Sequence, residues 1–254
     1  MSSTSKKVLL YSGGADSWLI DKLWKPDVKL YVNIHGEYND AEIKRLPKDV
    51  IILDAPFLGA TEDPDTHFVP LRNLYFIMMA SRYGDNICLG ATKGDFNRLD
   101  KTPEFFEKTQ ELLRYTMGKQ RGIFEDSNIT LETRFVHMYK HEIIKEYIDN
   151  GGSINELAEQ SFSCYTPIHD QECMNCRSCF KKYAEMTYFG YIYPYNIRKQ
   201  MFNYVRNEIL PFSKNDGHSF FDNRGAEGDI WMSAVYALYT EFDDIDNISD
   251  DQNK

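Results

Sequence analysis

Four of the chain's five cysteines fall between Cys164 and Cys179, and a turn of small residues, Ser12-Gly13-Gly14-Ala15-Asp16-Ser17, directly follows the first apolar run, Lys7-Val8-Leu9-Leu10-Tyr11. A strand that delivers Ser-Gly-Gly-x-Asp-Ser into a helix start lets the backbone approach a phosphate without Cβ clashes, while N–H groups and the helix dipole point at the anion. The hydroxyls of Ser12 and Ser17 add donors, and Asp16 is placed to cap the helix that follows. The lysine of a Walker loop and the G-x-G-x-x-G spacing are both missing, so neither the classical P-loop nor a dinucleotide fingerprint fits. A tight strand-to-helix turn with no ligand is the alternative. The cysteines run Cys164, eight residues, Cys173, two, Cys176, two, Cys179. Thiolates at Cys-x-x-Cys spacing reach one tetrahedral zinc at roughly 2.3 Å, and a fourth from a preceding loop closes the shell, which makes the site structural. The same run suits ferredoxin-like iron–sulfur ligation. A thioredoxin-like role for Cys176-Arg177-Ser178-Cys179 is disfavoured by the two further cysteines in register.

The elements that must position these residues are short strand-like runs alternating with helical patterns, the signature of a parallel sheet with crossover helices. The strands are expected at Val8–Tyr11, Val28–Ile34, Val50–Asp54, Asn86–Gly90 and Ile129–Thr133. Pro70–Tyr83 carries Leu71, Leu74, Tyr75, Met78 and Met79 near amphipathic-helix spacing. Pro103–Tyr115 opens with Thr102 as a cap, and a third helix, His141–Asn150, ends at Gly151-Gly152. The fold class is therefore α/β, a doubly wound parallel sheet with a small four-cysteine zinc lobe toward the C-terminus. Domains are expected at 1–160 (nucleotide-binding), 161–200 (zinc lobe) and 201–254 (a helical extension ending in a disordered acidic tail). Cys88 reads as an inert strand residue.

Composition excludes several function classes. With 29 basic against 39 acidic side chains the net charge is −10, so general attraction to a nucleic-acid backbone or an anionic membrane is absent. No apolar stretch approaches the roughly 20 residues of a membrane span, and the N-terminus lacks the apolar core of a secretory signal. A cytoplasmic location follows, and clustered cysteines in a reducing compartment suit metal rather than disulfides. The histidines His35, His67, His137, His141, His169 and His218 are scattered, with no pattern of a shared metal or a triad. The aromatic run Tyr183, Tyr188, Phe189, Tyr191, Tyr193 and Tyr195 reads as packing or a homodimer face rather than base stacking.

The glycine turn resembles the pyrophosphate loop of ATP pyrophosphatases, which split ATP into AMP and pyrophosphate. Taken with Thr66-His67-Phe68-Val69-Pro70-Leu71-Arg72-Asn73, Ser163-Cys164-Tyr165 and Cys173-Met174-Asn175-Cys176-Arg177-Ser178-Cys179, the chain resembles the 7-cyano-7-deazaguanine synthase family, QueC, over most of residues 6–185. The resemblance implies ATP bound by Tyr11, Ser12, Gly13, Gly14, Ala15, Asp16 and Ser17, with Asp16 helping to hold Mg2+, and zinc on Cys164, Cys173, Cys176 and Cys179. It implies that 7-carboxy-7-deazaguanine and ammonia become a nitrile at the cost of two ATP, through adenylated intermediates. Arg72 would bind phosphate or substrate charge with Asn73 orienting it, and Lys140 would contact phosphates. Glu42 and Asp95 align with family acids near the nucleotide and base. Each has a plainer reading: a helix-start salt bridge for Arg72, a solvated lysine for Lys140, surface carboxylates for Glu42 and Asp95.

The chain also departs from the family pattern. Leu71 stands at the usual glycine, Asn97-Arg98-Leu99-Asp100-Lys101-Thr102 replaces an expected Tyr-Pro-Asp-Cys segment, and His35-Gly36-Glu37-Tyr38-Asn39 stands for Tyr-Gly-Gln-x-His. The resemblance implies that these segments lie around the base pocket. Two alternatives therefore stand beside the nitrile-forming ligase: an enzyme that halts at the amide or adenylates another carboxylate or nucleobase, and a non-catalytic nucleotide-binding subunit.

Overall fold

Five short apolar runs pair into one parallel sheet in the computed structural model, which describes residues 5–36, 38–64, 68–117, 128–211 and 225–251, with side chains through Phe242. The strands are β1 (Lys7–Leu10), β2 (Val28–Asn33), β3 (Val50–Asp54), β4 (Asn86–Leu89) and β5 (Thr130–Leu131), in the order β3-β2-β1-β4-β5. All four pairings are parallel, with Leu9 opposite Lys29 on one side and Cys88 on the other. β1 is central, and Val8, Leu9 and Leu10 are all buried, the continuous apolar run of a strand covered on both faces. β3 is an edge strand, and Ile51 and Ile52 stay partly open to solvent.

The crossovers are α1 (Ala15–Trp24), α2 (Asn39–Ile43), α3 (Pro56–Gly59) with α4 (Arg72–Ala80), and α5 (Pro103–Met117); α6 (Lys140–Asp149) follows β5. One sheet face places Val8, Leu10, Leu30, Val32, Ile87 and Leu89 against Ile77 and Ala80 of α4 and Phe106 and Leu113 of α5. The period-two alternation turns Leu9 and Cys88 to the opposite face, and α1 and α6 pack together through an edge-on contact of Trp18 and Tyr147. Cys88 is fully buried, as an inert strand residue should be.

The expected strands are all present, four within a residue of the expected ends, but β5 shrinks to two residues. The Glu132 side chain accepts the Arg134 N–H and the chain turns away at once into a 3-10 turn, Phe135–His137. α4 starts two residues later than the apolar pattern because Leu71 adopts a left-handed conformation, φ 60°, and so cannot continue a helix backward, and it ends at Ala80 rather than Tyr83. Lys140 lies inside α6 rather than before it.

The chain divides into two units, 1–151 and 152–254, and the sheet belongs to the first. The second is helical: α7 (Ile154–Gln160), α8 (Arg177–Tyr188), α9 (Tyr195–Tyr204) and α10 (Ala226–Asp251). α8 and α10 bury Phe180, Met186, Trp231 and Leu238, and Phe202 of α9 meets Tyr239 and Phe242. No helix among the described residues is long and apolar enough to cross a membrane.

Candidate nucleotide and metal sites

In a doubly wound sheet, ligands enter beyond the carboxyl ends of the strands where the strand order reverses. That point here is the gap between β1 and β4, and the turn of small residues lies directly after β1. Gly13 holds φ +76°, a backbone conformation that side chains rarely adopt, with no atom nearer than 3.8 Å to the position its Cβ would take. Glycine is required by conformation, not by space. The Ser12 and Ser17 hydroxyls lie 3.2 Å apart, Ser17 Oγ accepts the Ser12 N–H and donates to Gly14 O, and the Gly14 N–H leans on Ser12 Oγ. This small network holds the loop open at the start of α1.

Charged side chains converge on the loop. Lys140, in the first turn of α6, brings its ammonium 3.4 Å from Asp16 Oδ1. That oxygen is shielded from solvent and has no hydrogen bond of its own. A carboxylate oxygen shielded from solvent, held only by this longer ion pair and lying beside a turn of small residues, has the donor chemistry that suits a hard cation. Asp95 closes a 3-10 turn as half of a capping box with Thr92 and pairs with Lys101 at 3.2 Å. Burial pushes its carboxyl up, but the ammoniums of Lys101 and Lys140 and the Thr92 N–H outweigh this and hold it below the ordinary carboxylate value. Asp95 is therefore a partly buried, paired group rather than a surface carboxylate, and Lys140 is ion-paired rather than merely solvated.

Arg72 belongs to a second cluster, built on β2. Tyr31 donates its hydroxyl to Glu42 Oε2 at 2.6 Å, Asn39 donates its amide to that hydroxyl, and the Gly36 N–H holds Asn39 Oδ1. Burial raises the Glu42 carboxyl to about 7, against the Tyr31 and Asn39 hydrogen bonds and the nearby charge of Arg72, which pull it down. Arg72 opens α4 with its guanidinium 6.0 Å over the Phe76 ring. Asn73 is buried and gives its amide to Asp100 O, so it ties the 97–102 segment to α4 instead of orienting Arg72. His35 pairs with Asp54, and His141 stacks on Tyr139. Thr66, His67, Glu37 and His218 lie outside the described residues.

The four cysteines meet in the second unit, with every sulfur within 4.8 Å of the others. Cys173 and Cys179 Sγ are 3.9 Å apart, and a tetrahedron with 2.3 Å arms has edges of about 3.8 Å. A four-iron cube would hold its thiolates outside a larger cage, so the geometry suits a single ion such as zinc. The local fold explains the spacing. The eight residues after Cys164 double back through a two-residue hairpin, with Ile168 and Gln171 exchanging both backbone hydrogen bonds and His169 and Asp170 both left-handed, the backbone of a type I′ turn. Met174, also left-handed, bends the Cys173–Cys176 knuckle. Cys176 caps α8 and Cys179 lies in its first turn, where the helix dipole favours thiolates. Backbone N–H groups of Cys173 and Asn175 donate to the sulfurs of Cys164 and Cys173, each at 3.3 Å. Hydrogen bonds from Cys164 and Cys179 drive the Cys176 thiol far below its ordinary value; hydrogen bonding to Cys164 and Cys176, followed by burial, drives Cys179 far above it. Four cysteine sulfurs this close could together hold one metal ion.

A family model for QueC, the queuosine biosynthesis protein, matches residues 44–188, a stretch that contains Arg72, Asp95, Lys140 and the four cysteines and begins after the glycine turn. Among curated proteins, the 7-cyano-7-deazaguanine synthase of Methanospirillum hungatei is 30% identical over 212 residues, covering 68% of this chain and 91% of its own. The synthase of Rhodopirellula baltica is 25% identical over 225 residues, 71% of this chain and 88% of that one. The synthase of Leptospira biflexa is 31% identical over 126 residues, 47% of this chain; the match spans about half of that relative, 48% of its length. No solved structure matches.

Proposed function

The chain belongs to the QueC family, and we propose that it is an ATP-dependent carbon–nitrogen ligase that makes 7-cyano-7-deazaguanine from 7-carboxy-7-deazaguanine and ammonia, releasing AMP and pyrophosphate. The observation that carries the reading is the convergence of Asp16 and Lys140 on the glycine turn at the point where the sheet order reverses.

A carboxylate does not accept an amine at neutral pH until one of its oxygens can leave. In the proposed reaction the substrate carboxylate attacks the α-phosphorus of ATP, pyrophosphate departs, and ammonia displaces AMP to leave an amide. Transfer of a second adenylyl group to the amide oxygen lets AMP and a proton leave as the carbon–nitrogen triple bond forms. The backbone N–H groups of Gly13 and Gly14 and the hydroxyls of Ser12 and Ser17 would cradle the phosphates, and Lys140 would neutralise charge that grows on the departing group. Asp16 would hold Mg2+, which shields pyrophosphate charge when bound. Arg72, electrostatically coupled to Glu42, would hold the substrate's anionic or hydrogen-bonding edge. The cysteine cluster would be a zinc clamp outside the chemistry.

A second reading keeps the adenylation and changes the product, stopping at the amide or using another acyl group. It is favoured by the divergent 97–102 segment, whose Lys101 pairs with Asp95. Incubating the purified chain with 7-carboxy-7-deazaguanine, ATP, Mg2+ and ammonia, and following pyrophosphate release and product mass, separates the two. A nitrile product with two AMP per turnover supports the leading proposal, and an amide with one AMP supports the second. Nucleotide binding with no pyrophosphate released from any substrate would overturn both in favour of a non-catalytic subunit.

A further inference from the structure

We propose that the buried Lys182–Glu172 ion pair is a brace that builds the four-cysteine site before metal arrives, making both side chains positioning residues for metal capture. The inference rests on the cysteines holding a metal ion, and not on which reaction the chain catalyses.

The Lys182 side chain is only 4% exposed, on the buried face of α8 one turn beyond Cys179. Its ammonium donates to Ser161 O at 2.6 Å and to Glu172 Oε2 at 2.9 Å. The other oxygen of Glu172 accepts the Ser163 N–H at 2.7 Å. One ion pair thereby joins three segments 9 to 21 residues apart: the stretch leading into Cys164, the residue immediately before Cys173, and the helix that carries Cys179. Gln200 of α9 adds a fourth tie, donating its amide to Cys173 O at 2.8 Å.

Burying two charges is costly, and a pair of apolar side chains of similar volume would commonly fill such a place at no loss of stability. The pair here meets two backbone groups that otherwise would be left unsatisfied at the base of the site, so its energy is directed at fixing the two cysteine-bearing segments relative to α8. Outer groups that orient metal ligands in this way typically change metal affinity by about 10- to 100-fold when removed. The hairpin between Cys164 and Cys173 has no hydrophobic packing of its own at its tip, where Ile168, His169 and Asp170 are exposed. The brace supplies the order that packing does not.

The test uses the full chain loaded with zinc. Metal content is measured first: a wild-type chain that takes up no zinc removes the metal reading itself and the brace with it. Given uptake, zinc affinity by competition with a chromogenic chelator and the rate of zinc release are compared for wild type, Lys182→Met, Glu172→Gln, the Lys182→Met/Glu172→Met double variant, and Leu238→Ala, which opens a cavity on α10 of the same unit, outside the brace segments. We expect each single brace variant to lose about 10- to 100-fold in affinity with faster release, the double variant to be no weaker than a single, and Leu238→Ala to unfold earlier with zinc affinity unchanged. Wild-type affinity in Glu172→Gln, which keeps the side-chain size but removes the charge and turns one of the two accepting oxygens into a donor, would overturn the proposal. So would additive losses in the double variant, or an equal loss in Leu238→Ala.

Discussion

Removing the charge of Glu42 should stabilise the folded chain above neutral pH and leave it nearly unchanged in acid. The carboxyl is enclosed by Tyr31 and Asn39, and burial raises it from an ordinary 4.5 to about 7. Below pH 4.5 it is protonated in both folded and unfolded chains. Between 4.5 and about 7 the unfolded chain ionises while the folded chain holds its proton, so the native state binds more protons and loses stability as pH rises. At 1.36 kcal/mol per pH unit this amounts to roughly 3 kcal/mol, an upper figure for a partly buried group. Above pH 7 both states are ionised and the penalty is constant. Glu42→Gln keeps an oxygen to accept the 2.6 Å Tyr31 hydrogen bond and carries no charge. Urea unfolding of wild type and variant at pH 5, 6, 7 and 8 should show a variant advantage that grows from about 1 kcal/mol at pH 5 to about 3 kcal/mol and then levels. Parallel pH profiles for the two proteins, or an advantage largest at pH 5, would refute the reasoning, because every other titrating group cancels in the difference.

Leu71→Gly should raise stability by about 0.5–1 kcal/mol, measured as the urea midpoint, since a left-handed residue other than glycine costs about 1–2 kcal/mol and the freed unfolded chain returns part of the gain. Gly13→Ala meets no steric clash but forces alanine to φ +76°, at a cost of about 1–2 kcal/mol; calorimetry with ATP and Mg2+ should show nucleotide affinity reduced at least tenfold with the far-ultraviolet spectrum retained. Stripping the zinc-loaded chain with excess chelator should lower the unfolding temperature of the 152–254 unit, because binding to four thiolates is coupled to their ordering by on the order of 10 kcal/mol; an unchanged unfolding curve would contradict the clamp.

Much of the fold was readable from apolar periodicity, and the exceptions have separate physical causes. The sheet strands were legible because β1 and β4 are buried on both faces and must be continuously apolar. β5 was overextended because Glu132 turns its side chain back onto the chain, which periodicity does not register. The short helices α2, α3 and α7 are too brief for a 3.6-residue pattern to establish itself. α8 was hidden by the cysteines, whose knuckle spacing reads as metal chemistry before it reads as a helix start. In the candidate sites, the cysteine cluster was legible because thiol spacing is itself a geometric statement. The Tyr31–Asn39–Glu42 network and the Lys182–Glu172 pair were missed because each joins residues 8 to 11 apart on different elements, a spacing that neither helix nor strand periodicity brings together. A signal for Lys182 existed: it lies three residues after Cys179 and four before Met186, a lysine on an otherwise buried helical face.

The order β3-β2-β1-β4-β5 has a kinetic consequence. The central strand gains its first neighbour quickly, since Val8 pairs with Val28, but its second partner, Ile87, arrives 79 residues later in the chain (87 minus 8). During synthesis, one long edge of β1 stays without its native partner until that segment has emerged, and closing so large a loop slows the search. The rim that β4 supplies to the crevice at the switch point is thus absent from any nascent chain ending before residue 90, so that crevice is completed late in synthesis and cannot act as a nucleus for folding.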